Sequence, residues 1–155
     1  MFREMRQKKK LMSKHDTTKI IKEAEYGTLA SIGENGYPYA VPLNYAYEND
    51  SIYFHSAHEG NKVENIKFNS KVSFSVVNYH KILPAKFDTE YDSVIIYGKA
   101  YEVSDKEEKR RALMLLIEKY SGDYCEQGMA YIERAINGVA VFKIQIEHMT
   151  GKLGR

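Results

Sequence analysis

The sequence predicts a mainly β domain with flanking helices, in which six antiparallel strands form a small barrel. Three observations favour this fold class. Six segments have the alternation or the β-branched and aromatic content of strands, tight-turn signals separate several of them, and four other segments have helical character. The 155 residues are enough for one domain with its own core. A barrel would also protect the edges of the sheet.

The first third of the chain predicts one helix and three strands. Residues 16–25 have helical character, with Asp16 as the expected N-cap. The segment YGTLASIG predicts a strand, and Asn35-Gly36 predicts a hairpin turn because both central positions need a positive φ. The segment YPYAVPLNYAYE then predicts the return strand and SIYFHS the third strand. Together they would form an antiparallel meander.

The middle of the chain predicts a short helix and two more strands. Residues 60–68 have helical spacing, and KVSFSVVN predicts the fourth strand. Residues 80–91 are expected to be irregular. The segment DSVIIYGKAYEV predicts the fifth strand, with Gly98 as a candidate bulge.

The last third predicts two helices and a final strand. SDKEEKRRALMLLIEKYS has the strongest helical pattern, and Ser104 with Glu107 predicts a capping box at its start. Residues 126–136 predict a further helix. The alternating segment GVAVFKIQIEHM predicts the sixth strand.

Charge and cysteine content limit the classes of partner and compartment. The net charge of +2 is too small to indicate a nucleic-acid-binding protein, although residues 1–14 form a basic arm. We expect this arm to be a solvated tail or to lie on a neighbouring subunit, rather than to bind nucleic acid or a membrane. Cys125 is the only cysteine, so no disulfide can form within the chain. With no long apolar run and no signal-peptide pattern, the sequence predicts a cytoplasmic protein.

The segment HSAHEGNK, residues 55–62, has the features of an anion site. A helix that begins near Gly60 would present free backbone N–H groups, and its dipole favours negative charge at that end. Lys62 adds a positive charge and Ser56 adds a hydroxyl donor, so the set suits a phosphate monoester. The alternative is structural: Gly60 only shapes the turn, Lys62 is solvated and Ser56 is incidental.

Other kinds of site have less support in this sequence. His55 and His58 have a spacing that metals use, but no further ligand stands nearby, so no metal site is predicted. The chain lacks a P-loop, a G-x-G-x-x-G fingerprint after a strand, and a G-x-S-x-G elbow.

The segment AVPLNY, residues 40–45, is also unusual for a strand. Pro42 cannot donate a hydrogen bond to a sheet, and Asn44 is a polar amide among apolar residues. Two interpretations stay open: an edge strand with a bulge, or a place where a ring-shaped ligand contacts free backbone groups.

The segments GYPYAVPLNY and IYFHSAHEGNK resemble a known family, and so do FREMRQKKK, YDSVIIYGKA and IEHMTGK. The chain resembles the pyridoxamine 5′-phosphate oxidase-like, FMN-binding split barrels, and among them the 5-nitroimidazole-resistance (Nim-type) branch. The resemblance covers nearly the whole chain. It implies that residues 1–155 form one six-stranded split-barrel domain, which assembles as a homodimer with FMN at the interface.

The resemblance also implies which residues surround the cofactor. The stretch expected along the flavin comprises Val41, Pro42, Leu43 and Asn44. The stretch expected around the phosphate comprises His55, Ser56, Ala57, Gly60, Asn61 and Lys62. Tyr91 and Ser93 are candidates to reach the flavin of the partner subunit.

The function implied by the resemblance is that of an FMN-dependent oxidoreductase. Electrons would pass from NADH or NADPH to a small organic acceptor such as a nitro-aromatic compound, with His55 as the candidate catalytic residue because histidine titrates near neutral pH. The alternative for His55 is a histidine that only forms a hydrogen bond with the phosphate or the backbone. No residue set for pyridoxal phosphate can be matched, so vitamin B6 oxidation is not expected. Two alternatives stay open: a flavin-binding carrier or sensor without turnover, and a split barrel that binds haem or another cofactor.

Overall fold

The structure, a computed structural model, describes all 155 residues from Met1 to Arg155. Its seven strands form one antiparallel sheet, in the spatial order β2-β1-β5-β6-β7-β4-β3. The strands are β1 Gly27–Ile32, β2 Pro38–Leu43, β3 Ala46–Glu48, β4 Ser51–Ser56, β5 Lys71–Leu83, β6 Asp88–Glu102 and β7 Ala140–Gly154.

The second expected strand is in fact two strands, so the predicted count of six becomes seven. Its first half, β2, pairs with β1, whereas its second half, β3, pairs with β4. These halves lie at opposite edges of the sheet, yet only Asn44 and Tyr45 separate them along the chain. The two edges must therefore come together, and the sheet curls into a split barrel. This confirms the predicted fold class and corrects the predicted meander.

The long hairpin of β5 and β6 corrects a second expectation. Residues 80–91 are not irregular, because β5 continues to Leu83 and β6 begins at Asp88, with only a short 3-10 turn between them. The candidate bulge at Gly98 is confirmed by a register shift between Tyr97 and Gly98. A side chain at Gly98 would place its Cβ 2.3 Å from the carbonyl oxygen of Gln145, so only glycine fits there.

Four helices flank the sheet: α1 Lys14–Glu23, α2 Asn61–Phe68, α3 Lys106–Tyr120 and α4 Cys125–Ala135. All four were expected, but two caps differ.

The cap of α1 is Ser13, whose hydroxyl accepts the N–H of Asp16 at 3.1 Å. Asp16 itself lies in the first turn, where its negative charge still favours the helix dipole. The cap of α3 is Asp105, whose carboxylate accepts the N–H of Glu108 at 2.8 Å, so the predicted box of Ser104 and Glu107 is wrong by one residue.

Two apolar cores lie on opposite faces of the sheet. The main core lies inside the barrel and includes the stacked rings of Phe54 and Phe142, 5.5 Å apart, covered by α1 and α2. The second core lies under α3 and α4 and includes Tyr53, Leu113 and Ile132. α3 and α4 therefore form a separate layer over β3, β4 and β7.

The basic arm packs against its own chain. Leu11 forms an isolated bridge with Lys152 of β7, and the ring of Phe2 stacks on His148 at 4.8 Å and on Tyr97 at 5.0 Å. The basic side chains of residues 8–10 remain largely outside the cores. No helix in the chain has both the length and the apolar character needed to cross a membrane.

Candidate functional site

The candidate site begins where β4 ends and α2 starts. Gly60 immediately precedes α2 with φ +133°, a conformation that other residues rarely adopt. No side chain caps the helix, and nothing lies within 4 Å of the position that a Cβ on Gly60 would occupy. The N–H groups of the first turn are therefore left for water or a ligand.

Ser56 is the buried polar residue of this junction. It is 8% exposed, and its Oγ is buried without a hydrogen-bond partner. Buried hydroxyl groups are nearly always hydrogen-bonded, so this atom has an unused capacity to bind. The predicted phosphate segment thus contains a buried donor that the protein itself leaves unsatisfied.

His55 and Lys62 supply the titratable groups of the same segment. The side chain of His55 is exposed at the surface and that of Lys62 is partly buried. Partial desolvation lowers the pKa of His55, and the positive charge of Lys62 lowers it further. His55 is therefore neutral at pH 7. The other members of the predicted set, Ala57 and Asn61, are exposed at the same junction.

The second predicted stretch lies on an edge strand. β2 pairs only with β1, and its register is continuous from Gly27–Leu43 to Ile32–Pro38, so there is no bulge at Pro42. Val41 and Leu43 are partly buried and pack against the main core. Pro42 and Asn44 are exposed. The edge-strand part of the first interpretation is confirmed, and the backbone on the outer side of β2 has no strand partner.

Tyr91 and Ser93 are far from this junction within one chain. Tyr91 pairs with Gly154 at the end of β7, and Ser93 pairs with Lys152. His55 pairs with Val141 at the beginning of β7. The partners of His55 and Tyr91 are thirteen residues apart on β7, roughly 40 Å measured along the strand, so the two groups lie toward opposite ends of β7.

A cavity of about 210 Å³ joins parts of the two predicted stretches. Asn44 and His55 both line it, next to Tyr120 and Ser121 at the end of α3. The rest of the lining comes from α3, α4 and the segment before β7: Leu113, Leu116, Ile117, Tyr131, Ile132, Ala135 and Val139. These residues were not predicted from the sequence. The apolar spacing of α3 predicted a buried face, but not that this face meets the candidate site.

A model of the pyridoxamine 5′-phosphate oxidase family matches residues 13–153. The chain belongs to this family. The match spans α1 to α4, β1 to β6 and all but the last residue of β7, so it includes both predicted site segments.

Known structures agree with this assignment. The chain is 32% identical to a candidate 5-nitroimidazole antibiotic resistance protein from Bacteroides thetaiotaomicron, with a TM-score of 0.79, covering 92% of this chain and 86% of that one. It has the fold of the conserved hypothetical protein Rv2991 from Mycobacterium tuberculosis, at 22% identity and TM-score 0.83, with coverage of 97% and 91%.

One further solved structure and one further sequence are similar to this chain. The FAD and haem binding protein from Mycobacterium smegmatis has 15% identity and a TM-score of 0.82, with coverage of 94% of this chain and 74% of that one. An uncharacterized protein of Rhizobium meliloti is 22% identical over 149 residues, with coverage of 92% of this chain and 93% of that protein.

The end of α3 binds the segment that connects β2, at one edge of the sheet, with β3, at the other edge. The hydroxyl of Tyr120 accepts the N–H of Tyr45 at 3.1 Å and donates to the carbonyl of Glu25 at 2.5 Å. Lys119 donates to the carbonyl of Tyr45 at 3.1 Å and lies 3.8 Å from the centre of its ring. Burial lowers the pKa of Lys119 to about 8. These contacts fix the backbone next to Asn44. The side chain of Asn44 is fixed as well, because its Nδ2 donates a hydrogen bond to the carbonyl of Glu25.

Proposed function

We propose that this protein binds FMN and transfers electrons from NADH or NADPH to a small organic acceptor such as a nitro-aromatic compound. The observation that carries the proposal is the Oγ of Ser56, which is buried without a partner in the residue that ends β4, four positions before the uncapped start of α2 at Gly60. This arrangement supports a bound anion with several oxygen atoms.

The residues present fit a phosphate monoester in number and charge. Ser56 offers one donor, the first turn of α2 offers backbone N–H groups, and Lys62 offers a full positive charge. Gly60 leaves open space for close approach to the backbone. We call this set, Ser56, Lys62 and the first turn of α2 after Gly60, the phosphate cradle. It suits a terminal monophosphate best, which favours FMN over FAD among the flavins.

The flavin ring would extend from this phosphate site toward β2. The unpaired outer side of β2 offers backbone groups to a planar heterocycle, and Asn44 lies at the end of that strand. Bound FMN would supply two-electron redox chemistry between a reduced nicotinamide and the acceptor. The protein would supply binding, orientation and a site that excludes bulk water.

His55 is the residue proposed to handle a proton. Its imidazole is neutral at pH 7 because its pKa is lowered, so one ring nitrogen carries a proton and the other can accept one. His55 also lines the cavity, which favours proton exchange with a substrate rather than binding of the phosphate alone.

A homodimer with FMN at the interface is part of this proposal. Within one chain, Tyr91 and Ser93 pair with the end of β7 and His55 pairs with its beginning, and a second copy could bring the two groups to one site. The outer face of β5 and β6 also exposes Val77, Ile95 and Tyr97, an apolar surface of the kind that subunit interfaces cover.

Haem binding is the second candidate, because the relative from Mycobacterium smegmatis is described as binding both FAD and haem. The absorption spectrum of the purified protein separates the two. Bands near those of free flavin support the first candidate, whereas an intense Soret band supports the second.

Rapid mixing tests the catalytic part of the proposal. The FMN-loaded protein is mixed with NADH or NADPH, and flavin bleaching is followed before and after a nitro-aromatic acceptor is added. Bleaching followed by recovery of the oxidised spectrum under anaerobic conditions supports a reductase. A flavin spectrum that neither nucleotide bleaches would instead indicate a carrier or sensor.

A further inference from the structure

The cavity under α3 and α4 has a polar end and an apolar interior. Asn44, His55, Tyr120 and Ser121 form the polar end. Aliphatic side chains form the interior: Leu113, Leu116, Ile117, Ile132, Ala135 and Val139. None of the lining side chains is permanently charged, so the cavity disfavours ions and favours uncharged ligands.

The cavity does not result from loose packing of α3 against α4 along their whole length. At Gly128, α4 approaches α3 so closely that an added Cβ would lie 2.5 Å from Cγ2 of Ile117. The helix pair is therefore tightly packed at one point, and space remains where the helices meet Asn44 and His55. The opening is localised beside the candidate site.

The size of the cavity limits its ligand. An apolar cavity of about 150 Å³ is large enough to hold benzene. The cavity here measures about 210 Å³, which suits a planar compound of one or two rings. A polar substituent on such a ring would be accommodated at the end that Asn44 and His55 form, where it meets hydrogen-bonding groups.

We propose that this cavity binds the electron acceptor, an uncharged planar compound of one or two rings whose reducible group lies at Asn44 and His55. Asn44 and His55 belong both to the cavity and to the predicted flavin site, so a ligand here would lie beside the flavin. The identity of the ligand as an electron acceptor rests on the proposed function. The existence of a binding site for uncharged ring compounds is independent of the proposed function, because it rests on the cavity alone.

Methyl-resolved NMR with nitrobenzene as the probe tests the site directly. The protein, with and without saturating FMN, is labelled at its Leu, Ile and Val methyl groups. Nitrobenzene should shift the methyl signals of Leu116, Ile117 and Val139. It should leave those of Val94 and Ile96 unchanged, because these two side chains lie in the main core.

A pair of alanine substitutions on α4 supplies the matched control. Ala135→Leu adds bulk inside the cavity, whereas Ala130→Leu makes the same change at an exposed position of the same helix. Ala135→Leu adds three carbons and should weaken nitrobenzene binding by about tenfold or more, since even one methylene in an apolar pocket is worth about tenfold. Ala130→Leu should leave it unchanged, and FMN affinity should stay the same in both.

Enlarging the cavity gives a second, independent readout. Val139→Ala should improve binding of 1,4-naphthoquinone relative to nitrobenzene, because the larger cavity admits the larger ring system. If Ala135→Leu does not fold, this variant tests the proposed binding site instead.

Three results would overturn the proposal. They are unshifted cavity methyls at saturating nitrobenzene, equal nitrobenzene affinity in both leucine variants, and loss of FMN binding in a folded Ala135→Leu variant. The last would mean that the cofactor itself occupies the cavity. If the wild-type protein binds nitrobenzene here but no flavin, the binding site stands and the proposed function fails.

Discussion

At the scale of single residues, the hydroxyl of Ser56 is the most informative atom in the chain. Leaving a buried polar group without a partner costs roughly 1–3 kcal/mol of folding free energy. The Oγ of Ser56 has no partner, although Ser31, another buried serine, accepts a hydrogen bond from Asn65 at 3.1 Å. Such a cost at one position fits a group that is kept for a ligand.

Replacing Ser56 with alanine should move folding and binding in opposite directions. The apo-protein should gain about 1 kcal/mol of stability, because the unsatisfied hydroxyl is removed. FMN should bind about tenfold more weakly, because the phosphate loses a donor. Denaturant unfolding and flavin titration measure the two effects. Ser31→Ala is the control, and it should lower stability while leaving FMN affinity unchanged.

Lys62→Ala should weaken FMN binding by about 10- to 100-fold, because a charge-assisted hydrogen bond is worth roughly 1.5–3 kcal/mol. The melting temperature of the apo-protein should barely change, since a lysine in the first turn is unfavourable to the helix dipole. Lys67→Ala, in the last turn of the same helix, should have no effect on FMN affinity. Unchanged affinity in Lys62→Ala would place the phosphate elsewhere, and collapse of the apo-protein would make the lysine structural.

At the scale of elements, the end of α3 keeps the two edges of the split sheet together. Tyr120 and Lys119 both bind the backbone of Tyr45, which follows β2 and precedes β3. The same contacts fix Asn44 at the opening of the cavity. Thus α3 contributes to the site in two ways: its last residues bind the backbone of Tyr45, and its apolar face lines the cavity.

Tyr120→Phe should lower the stability of the protein by about 1–3 kcal/mol, because the N–H of Tyr45 would lose its partner in a partly buried position. Chemical unfolding of the apo-protein measures this change. The control is Tyr124→Phe, since Tyr124 is 63% exposed and should tolerate the loss of its hydroxyl. Equal unfolding free energies for the two variants would show that the Tyr120 hydroxyl does not stabilise the segment between β2 and β3.

At the scale of the whole molecule, the sequence predicted local features better than distant ones. Residues 55–62 are contiguous, so their strand, turn and helix were predictable from local pattern. The break at Asn44 and Tyr45 was not, because it depends on which distant strands accept β2 and β3. Residues 80–91 contain Pro84 and charged residues that suggest a loop, yet pairing between β5 and β6 overrides this local preference. The cavity was also missed, since it depends on how α3 and α4 pack against the site.

The proposed flavin site takes His55 from one chain and Tyr91 from the other, so we predict a dimer in solution. The exposed apolar side chains of β5 and β6 would be covered in that dimer. Light scattering should give a mass of about twice the 17.9 kDa of one chain. A mass near that of one chain, with FMN bound at full affinity, would contradict an interfacial site.

The central claim is that the junction of β4 and α2 binds the phosphate of FMN. Equilibrium titration of the apo-protein with FMN, FAD and riboflavin tests it most directly, because riboflavin lacks only the phosphate. We predict that FMN binds most tightly, that FAD binds more weakly because its adenylate needs further space, and that riboflavin also binds more weakly. The Ser56→Ala and Lys62→Ala variants should lose affinity for FMN but not for riboflavin. Equal affinity of the wild-type protein for FMN and riboflavin would contradict the phosphate cradle.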